Sequence, residues 1–310
     1  MLSPRRLSRR AVVIEKLTYF VALAREQSFR RAAEACGVAQ PTLSAAIKQL
    51  EEELGVMLVR RSSRVHGLTP EGEKVLEWAR RIVGDARGMR QELQAMREGL
   101  SGHVRMAVIP TALAVVPRLT AACRRRHPAL EFTILSCAST QILERLDNLE
   151  VDVGITYLNN EALGRVRSQR LYTERYLLIT ADPALFAGRA AVSWAELGDV
   201  PLCLLTPDMQ NRRILDRLMR NAGVTPRAAI ESNSQITLVA HVLSGQCAAV
   251  LPEQATLMLA FSERLRCLPI GMENSAAYDV GLVLLDRDPL PLLAAAVLSE
   301  AQRVFMEKVG

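Results

Sequence analysis

Between Val75 and Leu100 the apolar side chains fall at Val75, Ala79, Ile82, Ala86, Met89, Leu93, Met96 and Leu100, with steps alternating between four and three. This spacing, about 3.5 residues on average, excludes a strand, whose faces repeat every second residue. A helix packed on its own domain drifts toward a 3.6-residue period and carries a wider stripe. A seam this narrow calls for a second helix of the same kind. Residues 69–100 are therefore expected to form a dimerising linker helix of about 48 Å, at ~1.5 Å per residue. Its expected pairing residues are Val75, Ala79, Ile82, Ala86, Met89, Leu93 and Met96. Thr69 is placed to cap it, and Pro70 sits in the first turn, where the missing N–H costs nothing.

Charge is distributed unequally about this rod. Residues 1–66 hold 12 Lys/Arg against 6 Asp/Glu, whereas residues 67–310 hold 27 of each, so the whole net charge of +6 lies before the rod. A basic module on a neutral body suits attraction to a phosphate backbone, although a solvated basic face has the same composition. A chain of 310 residues makes about two domains. No apolar run reaches the ~18 residues of a membrane span. Arg5, Arg6, Arg9 and Arg10 are not followed by the apolar stretch of a secretory signal, so a cytoplasmic location is expected. Residues 1–13 show no periodicity and are expected to be a basic, disordered extension. The cysteines at 36, 123, 137, 203, 247 and 267 form no C-x-x-C, and the histidines are scattered. They are read as small buried hydrophobes, with no metal or cofactor expected.

Residues 14–72 read as a winged helix-turn-helix. Leu17, Phe20, Val21 and Ala24 have helical spacing, and Ser28 is an N-cap before a short helix to Cys36. Gly37 ends that helix. Gln40-Pro41-Thr42 opens another, which runs through Leu43, Ile47, Leu50 and Leu54 to Gly55. Short helices about a glycine turn form the motif whose second member enters the major groove N-terminus first. Gln40, Thr42, Ser44, Ala45 and Lys48 then lie nearest DNA: Gln40 suits an adenine edge, and Ser44 and Lys48 suit phosphate. Residues 60–68 read as a hairpin with a basic tip of Arg60, Arg61 and Arg64, suited to flanking backbone or the minor groove. Alone, either piece also fits a helical bundle that binds no DNA.

Taken in order, Phe20-Val21-Ala22-Leu23-Ala24, Ser28-Phe29-Arg30-Arg31-Ala32-Ala33, Gln40-Pro41-Thr42-Leu43-Ser44, Ile47-Lys48-Gln49-Leu50-Glu51, Leu54-Gly55 and Leu68-Thr69-Pro70-Glu71-Gly72 resemble the LysR-type transcriptional regulators. The resemblance covers about residues 14 to 305. It implies a homodimer assembling to a homotetramer on double-stranded operator DNA, with RNA polymerase a candidate partner. It also implies an α/β effector domain with two lobes like those of periplasmic binding proteins and a small-molecule effector in the cleft. It adds Ser28, Arg30, Arg31 and Pro41 to the expected DNA-contacting set. Ala45-Ala46 departs from the family, where longer polar or basic side chains are common.

Beyond a hinge at Ser101-Gly102, strand and helix patterns alternate. Strands are expected at 104–109, 132–137, 151–157, 176–180, 202–205, 228–231, 248–251 and 280–285. Helices are expected at 113–127, 139–149, 208–221, 234–244 and 291–309. Alternation of this kind implies an α/β domain, residues 102–310, with mainly parallel sheets. The expected split is lobe I at 102–179 with 268–310, and lobe II at 180–267. Short polar segments fall at strand ends just before helices, where free N–H groups and the helix dipole favour an anion. The candidate effector residues are Thr111, Ser139, Thr140, Tyr157, Met209, Gln210, Asn233 and Ser234, with Tyr157 expected to seal the apolar side. Each is also a plausible helix cap, and the resemblance supports Thr111, Ser139, Thr140 and Asn233 in particular. The expected effector is a small carboxylate or similar anion.

Two rival readings remain. One is a regulator of the same fold that senses redox state through Cys137, Cys203 or Cys247. The other is a solute-binding protein or enzyme built on the two-lobed domain. Against the enzyme stand the absence of G-x-G-x-x-G, P-loop, H-E-x-x-H and G-x-S-x-G patterns, so no catalytic residue is assigned.

Overall fold

The computed structural model describes residues 4–60, 67–159, 161–259, 264–271 and 278–306. They divide into an N-terminal unit, which reaches Leu100 and includes the short segments Asp147–Glu150 and Pro289–Leu292, and a C-terminal unit made of the remainder from Ser101. No helix among the described residues is long and apolar enough to cross a membrane.

The N-terminal unit contains α1 (Pro4–Glu26), α2 (Phe29–Ala35), α3 (Gln40–Leu54) and α4 (Pro70–Glu98). The first corrects a sequence expectation: residues 4–13 are helical rather than a disordered arm. The other boundaries follow from capping. The Ser28 Oγ accepts the Arg31 N–H, and the Thr69 Oγ1 accepts the Gly72 N–H at 2.9 Å. Gly55 ends α3 at φ 70°, a left-handed conformation that a side chain would strain. Phe20, Leu23, Leu43, Ile47, Leu50 and Leu58 are buried in one core. Each contributes roughly 1.5–3 kcal/mol by leaving water. At the base of the wing, Val59 and Leu68 form an antiparallel bridge.

The linker helix forms over nearly the expected span, but its stripe serves two purposes. Ala79 is completely buried and Val75 partly so, both packed in the helix-turn-helix core. Their assignment to pairing is therefore corrected: their neighbours are in their own chain. Ala86 is half-buried. Farther along, Ile82, Met89, Leu93 and Met96 are exposed, Met96 at 84%.

The C-terminal unit begins with β1 (Gly102–Val108), a 3-10 turn (Pro110–Val115), α5 (Val116–Arg126), β2 (Leu130–Ser136), α6 (Ser139–Asp147) and β3 (Val153–Tyr157). It continues through β4 (Val166–Glu174), β5 (Tyr176–Thr180), β6 (Leu202–Leu205), α7 (Gln210–Asn221), β7 (Ala228–Ser232) and α8 (Gln235–Leu243). Last come β8 (Ala248–Pro252), α9 (Thr256–Leu259), β9 (Arg266–Pro269), β10 (Tyr278–Leu285) and α10 (Leu292–Met306). Pro110 begins the 3-10 turn that replaces the start of the helix expected from Leu113.

These strands make two five-stranded sheets, ordered β2-β1-β3-β10-β4 and β7-β6-β8-β5-β9. The expectation of mainly parallel sheets is corrected. Strands β2, β1 and β3 are parallel, as are β7, β6 and β8, while β10–β3, β10–β4, β5–β8 and β5–β9 are antiparallel. The lobe boundary also moves. Strand β5, expected in lobe I, belongs to the second sheet, as does all of β9. The chain passes from one sheet to the other at Glu174-Arg175-Tyr176.

Candidate functional site

On α3 the helical period divides the side chains cleanly. Leu43, Ile47 and Leu50 face the core, while Gln40, Pro41, Thr42, Ser44, Ala45 and Lys48 are exposed. Lys48 pairs only loosely with Glu52, at 3.7 Å with both side chains largely in solvent, so it is available to a phosphate. Arg30 is similarly exposed beside Glu34 at 3.8 Å. Arg31 is held back by the Glu26 carbonyl, which accepts from its guanidinium. Arg60 is exposed at the start of the wing, whereas Arg61 and Arg64 lie outside the described residues.

Two contributors to this surface escaped sequence reading. Glu51 is 5% exposed, and its Oε1 accepts the N–H groups of Leu58 at 2.9 Å and Val59 at 3.2 Å. It fixes the start of the wing against α3. Gly72 packs so close to the Leu58 carbonyl that an added Cβ would collide with it. A glutamate in a helix ordinarily reads as surface; only its offset from the apolar positions could have raised suspicion.

The C-terminal unit has a cleft of about 420 Å³ lined by Pro110, Leu113, Cys137, Gln141, Met209, Asn233, Ser234 and Gln235, among others. Beneath it lies an inner pocket of about 10 Å³, room for roughly one water-sized group. Thr111, Ser139, Tyr157, Met209, Gln210 and Asn211 line that pocket. Of the expected effector residues, Asn233 and Ser234 thus line the outer cleft and Thr111, Ser139, Tyr157 and Gln210 the inner pocket, while Met209 borders both. Thr140 is the exception: it is exposed and lines neither, because Ser139 takes the inward position at the start of α6. Asn211 and Gln141 were missed, since glutamine and asparagine within helices carry little sequence signal.

Three helices, α6, α7 and α8, begin at this cleft, and neither α7 nor α8 has a side-chain cap on its first-turn N–H groups. Buried polar atoms without hydrogen-bond partners accompany them: Ser139 Oγ, Gln210 Nε2, and both amide atoms of Gln235. No arginine or lysine is among the lining residues described. The two arginines in the first turn of α7 are otherwise engaged. Arg212 binds Asp216, Glu231 and the Leu205 carbonyl, and Arg213 binds Glu161 and the carbonyls of Pro207 and Asp208. The lining therefore offers backbone N–H groups and neutral side chains, with Asp208 as the acidic residue at the outer cleft.

Tyr157 does not seal an apolar wall. It is 1% exposed, donates to Glu174 at 2.6 Å, and accepts from the Asn211 amide at 3.1 Å. Burial first, then the adjacent Glu174, holds its hydroxyl far above the usual tyrosine range. The cysteines divide as well: Cys203 on β6 and Cys247 before β8 are paired as a disulfide, whereas Cys123 and Cys137 are buried outside it. The reading of all the cysteines as unpaired hydrophobes is corrected at Cys203 and Cys247.

A helical N-terminal unit with an exposed recognition face and a two-lobed α/β unit with a central cleft define a DNA-binding regulator with a sensing domain. Residues 14–73 match the bacterial regulatory helix-turn-helix protein of the lysR family, and residues 97–306 match the LysR substrate binding domain. This chain belongs to the LysR family of transcriptional regulators. The DNA-binding transcriptional dual regulator OxyR of Escherichia coli is 31% identical over 78% of this chain and 79% of its own length. A full-length OxyR variant from Pseudomonas aeruginosa covers 93% of this chain and 94% of its own, with TM-score 0.74 and 27% identity. CbnR bound to its target DNA shares the fold, with TM-score 0.59 and 21% identity over 94% of this chain and 99% of its own.

Proposed function

We propose that this LysR-type regulator reads its operator through the N-terminal face of α3 and the wing, and that a small organic anion in the cleft modulates the binding. The carrying observation is the α3 surface itself: Gln40, Ser44 and Lys48 are exposed four residues apart along one face, and Thr42 is exposed on another, while Leu43, Ile47 and Leu50 anchor the helix beneath. CbnR, bound to its target DNA in a solved complex, shares the fold. The exposed apolar residues on the outer part of α4 support a homodimer paired through that helix, assembling further to a homotetramer. The anion is supported by the three helix N-termini and the unpartnered buried donors around the cleft. Effector binding shifts the assembly only as far as its affinity differs between arrangements.

The test is fluorescence anisotropy with duplexes from the chain's own upstream region, at low salt, with and without a panel of small organic acids. Gln40→Ala or Ser44→Ala should weaken DNA binding roughly tenfold, the scale of one lost base or phosphate contact, and leave acid binding unchanged. Equal loss of both would reject this division of labour.

A second reading draws on a specific observation, the Cys203–Cys247 pair, and on relatives described as hydrogen peroxide-inducible genes activators. On this reading the pair opens and closes with redox state and alters DNA binding. Unchanged free-thiol count and operator affinity after mild peroxide and after dithiothreitol would dispose of it.

A further inference from the structure

Behind the inner pocket lies a carboxyl group that the proposed function does not use. Glu174, the last residue of β4, is 1% exposed. Its Oε2 accepts from the hydroxyls of Tyr157 at 2.6 Å and Tyr176 at 2.7 Å, while its Oε1 is buried with no hydrogen-bond partner. Tyr157 connects it to the pocket: the same phenolic oxygen accepts from Asn211 and lies 3.5 Å from the Thr111 hydroxyl. The other titratable groups around it are Tyr172 on its own strand and Tyr278, its register partner on β10. Arg175 beside it is exposed, and Arg212 and Arg213 of α7 are held by other carboxylates. Among the described residues no cation pairs with Glu174.

We propose that the cleft takes up its organic anion together with one proton, and that Glu174 receives the proton. The proposal rests on the anion reading above. An ionised Glu174 places a negative charge one hydroxyl behind the pocket. Two like charges so close in a poorly solvated site oppose each other, so an anion that lies in the cleft and puts one oxygen into the inner pocket favours the neutral acid, and the neutral acid favours the anion. The proton comes from solvent and ends on the carboxyl, with Oε1 the oxygen left open. Burial, only partly offset by the two tyrosine donors, already lifts this group to about 7, so the exchange falls in the neutral range. Because Glu174 ends a strand of the first sheet and Tyr176 begins one of the second, both lobes feel the change.

Trp194 offers a readout that needs no ligand. Its ring meets Tyr176 edge-on with centroids 5.7 Å apart. In the full-length chain carrying Trp78→Phe, Trp194 emission should show one transition near neutral pH. Glu174→Gln should abolish it. Tyr157→Phe, which removes one donor to the carboxylate, should move it upward by roughly half a pH unit or more. A flat titration, or one that neither variant alters, overturns the proposal. Calorimetry of the same chain with formate, acetate and oxalate, in buffers of different ionisation heat, should show uptake of about one proton per anion. Above neutrality, affinity should fall by up to roughly tenfold per pH unit. Anion binding without proton uptake overturns the proposal and leaves the anion reading standing. No binding by any of these acids at either side of neutrality overturns both.

Discussion

Glu51 and Glu174 are both buried carboxylates, and their surroundings give them different roles. Glu51 accepts two buried backbone N–H groups, those of Leu58 and Val59, that have no other partner among the described residues. Glu51→Ala should therefore cost on the order of 2–3 kcal/mol in urea unfolding, the penalty for orphaning buried donors. Gly72→Ala should also destabilise, by about 1–3 kcal/mol, because the Leu58 carbonyl occupies the space its methyl needs. For Glu174 the sign is reversed. Its folded value of about 7 lies above the usual 4.5, so between those values the folded chain holds a proton that the unfolded chain has released. Stability from this group is lost as pH rises through that window, and the full cost, on the order of 3 kcal/mol, is present above it. Glu174→Gln should thus gain stability over the parent at about pH 8 and little at about pH 4, by thermal unfolding at each.

At the scale of elements, α4 carries two functions on one stripe, and substitution separates them. Met89→Glu or Leu93→Glu places charge on the exposed outer stretch and should convert the assembly to single chains, as sedimentation would show, with the unfolding midpoint of the DNA-binding unit hardly changed. Ala79→Leu should do the opposite, overpacking the completely buried position at a cost of about 1–3 kcal/mol. The rod's length and caps were legible because periodicity, Thr69 and Pro70 agree. Its division was not, since Ala79 and Met89 fit the same repeat and only neighbouring α1 distinguishes them. The same holds in the sheets. Strands such as β6 and β8 are apolar throughout and stood out, whereas β4, with Arg167 and Arg170 exposed, lacks that signal. The cleft's helix starts were readable from polar residues after strands, but Asn211 reaches the inner pocket, and Glu174 the space behind it, through tertiary packing alone.

For the whole molecule, the uneven charge sets how it meets DNA. Operator affinity should fall linearly with the logarithm of salt, by about 0.9 per neutralised phosphate, and Lys48→Gln should reduce that slope by about 1 while weakening all sequences alike. A variant with unchanged slope would remove Lys48 from the phosphate-contacting set. The passage between the two sheets carries a different consequence. A single residue, Arg175, separates the end of β4 from the start of β5. Side chains alternate along an extended chain, so one residue added or removed there would turn Tyr176 away from its carboxylate. That tether has no slack: evolutionary drift in loop length, tolerated elsewhere on the surface, should stop short of this joint.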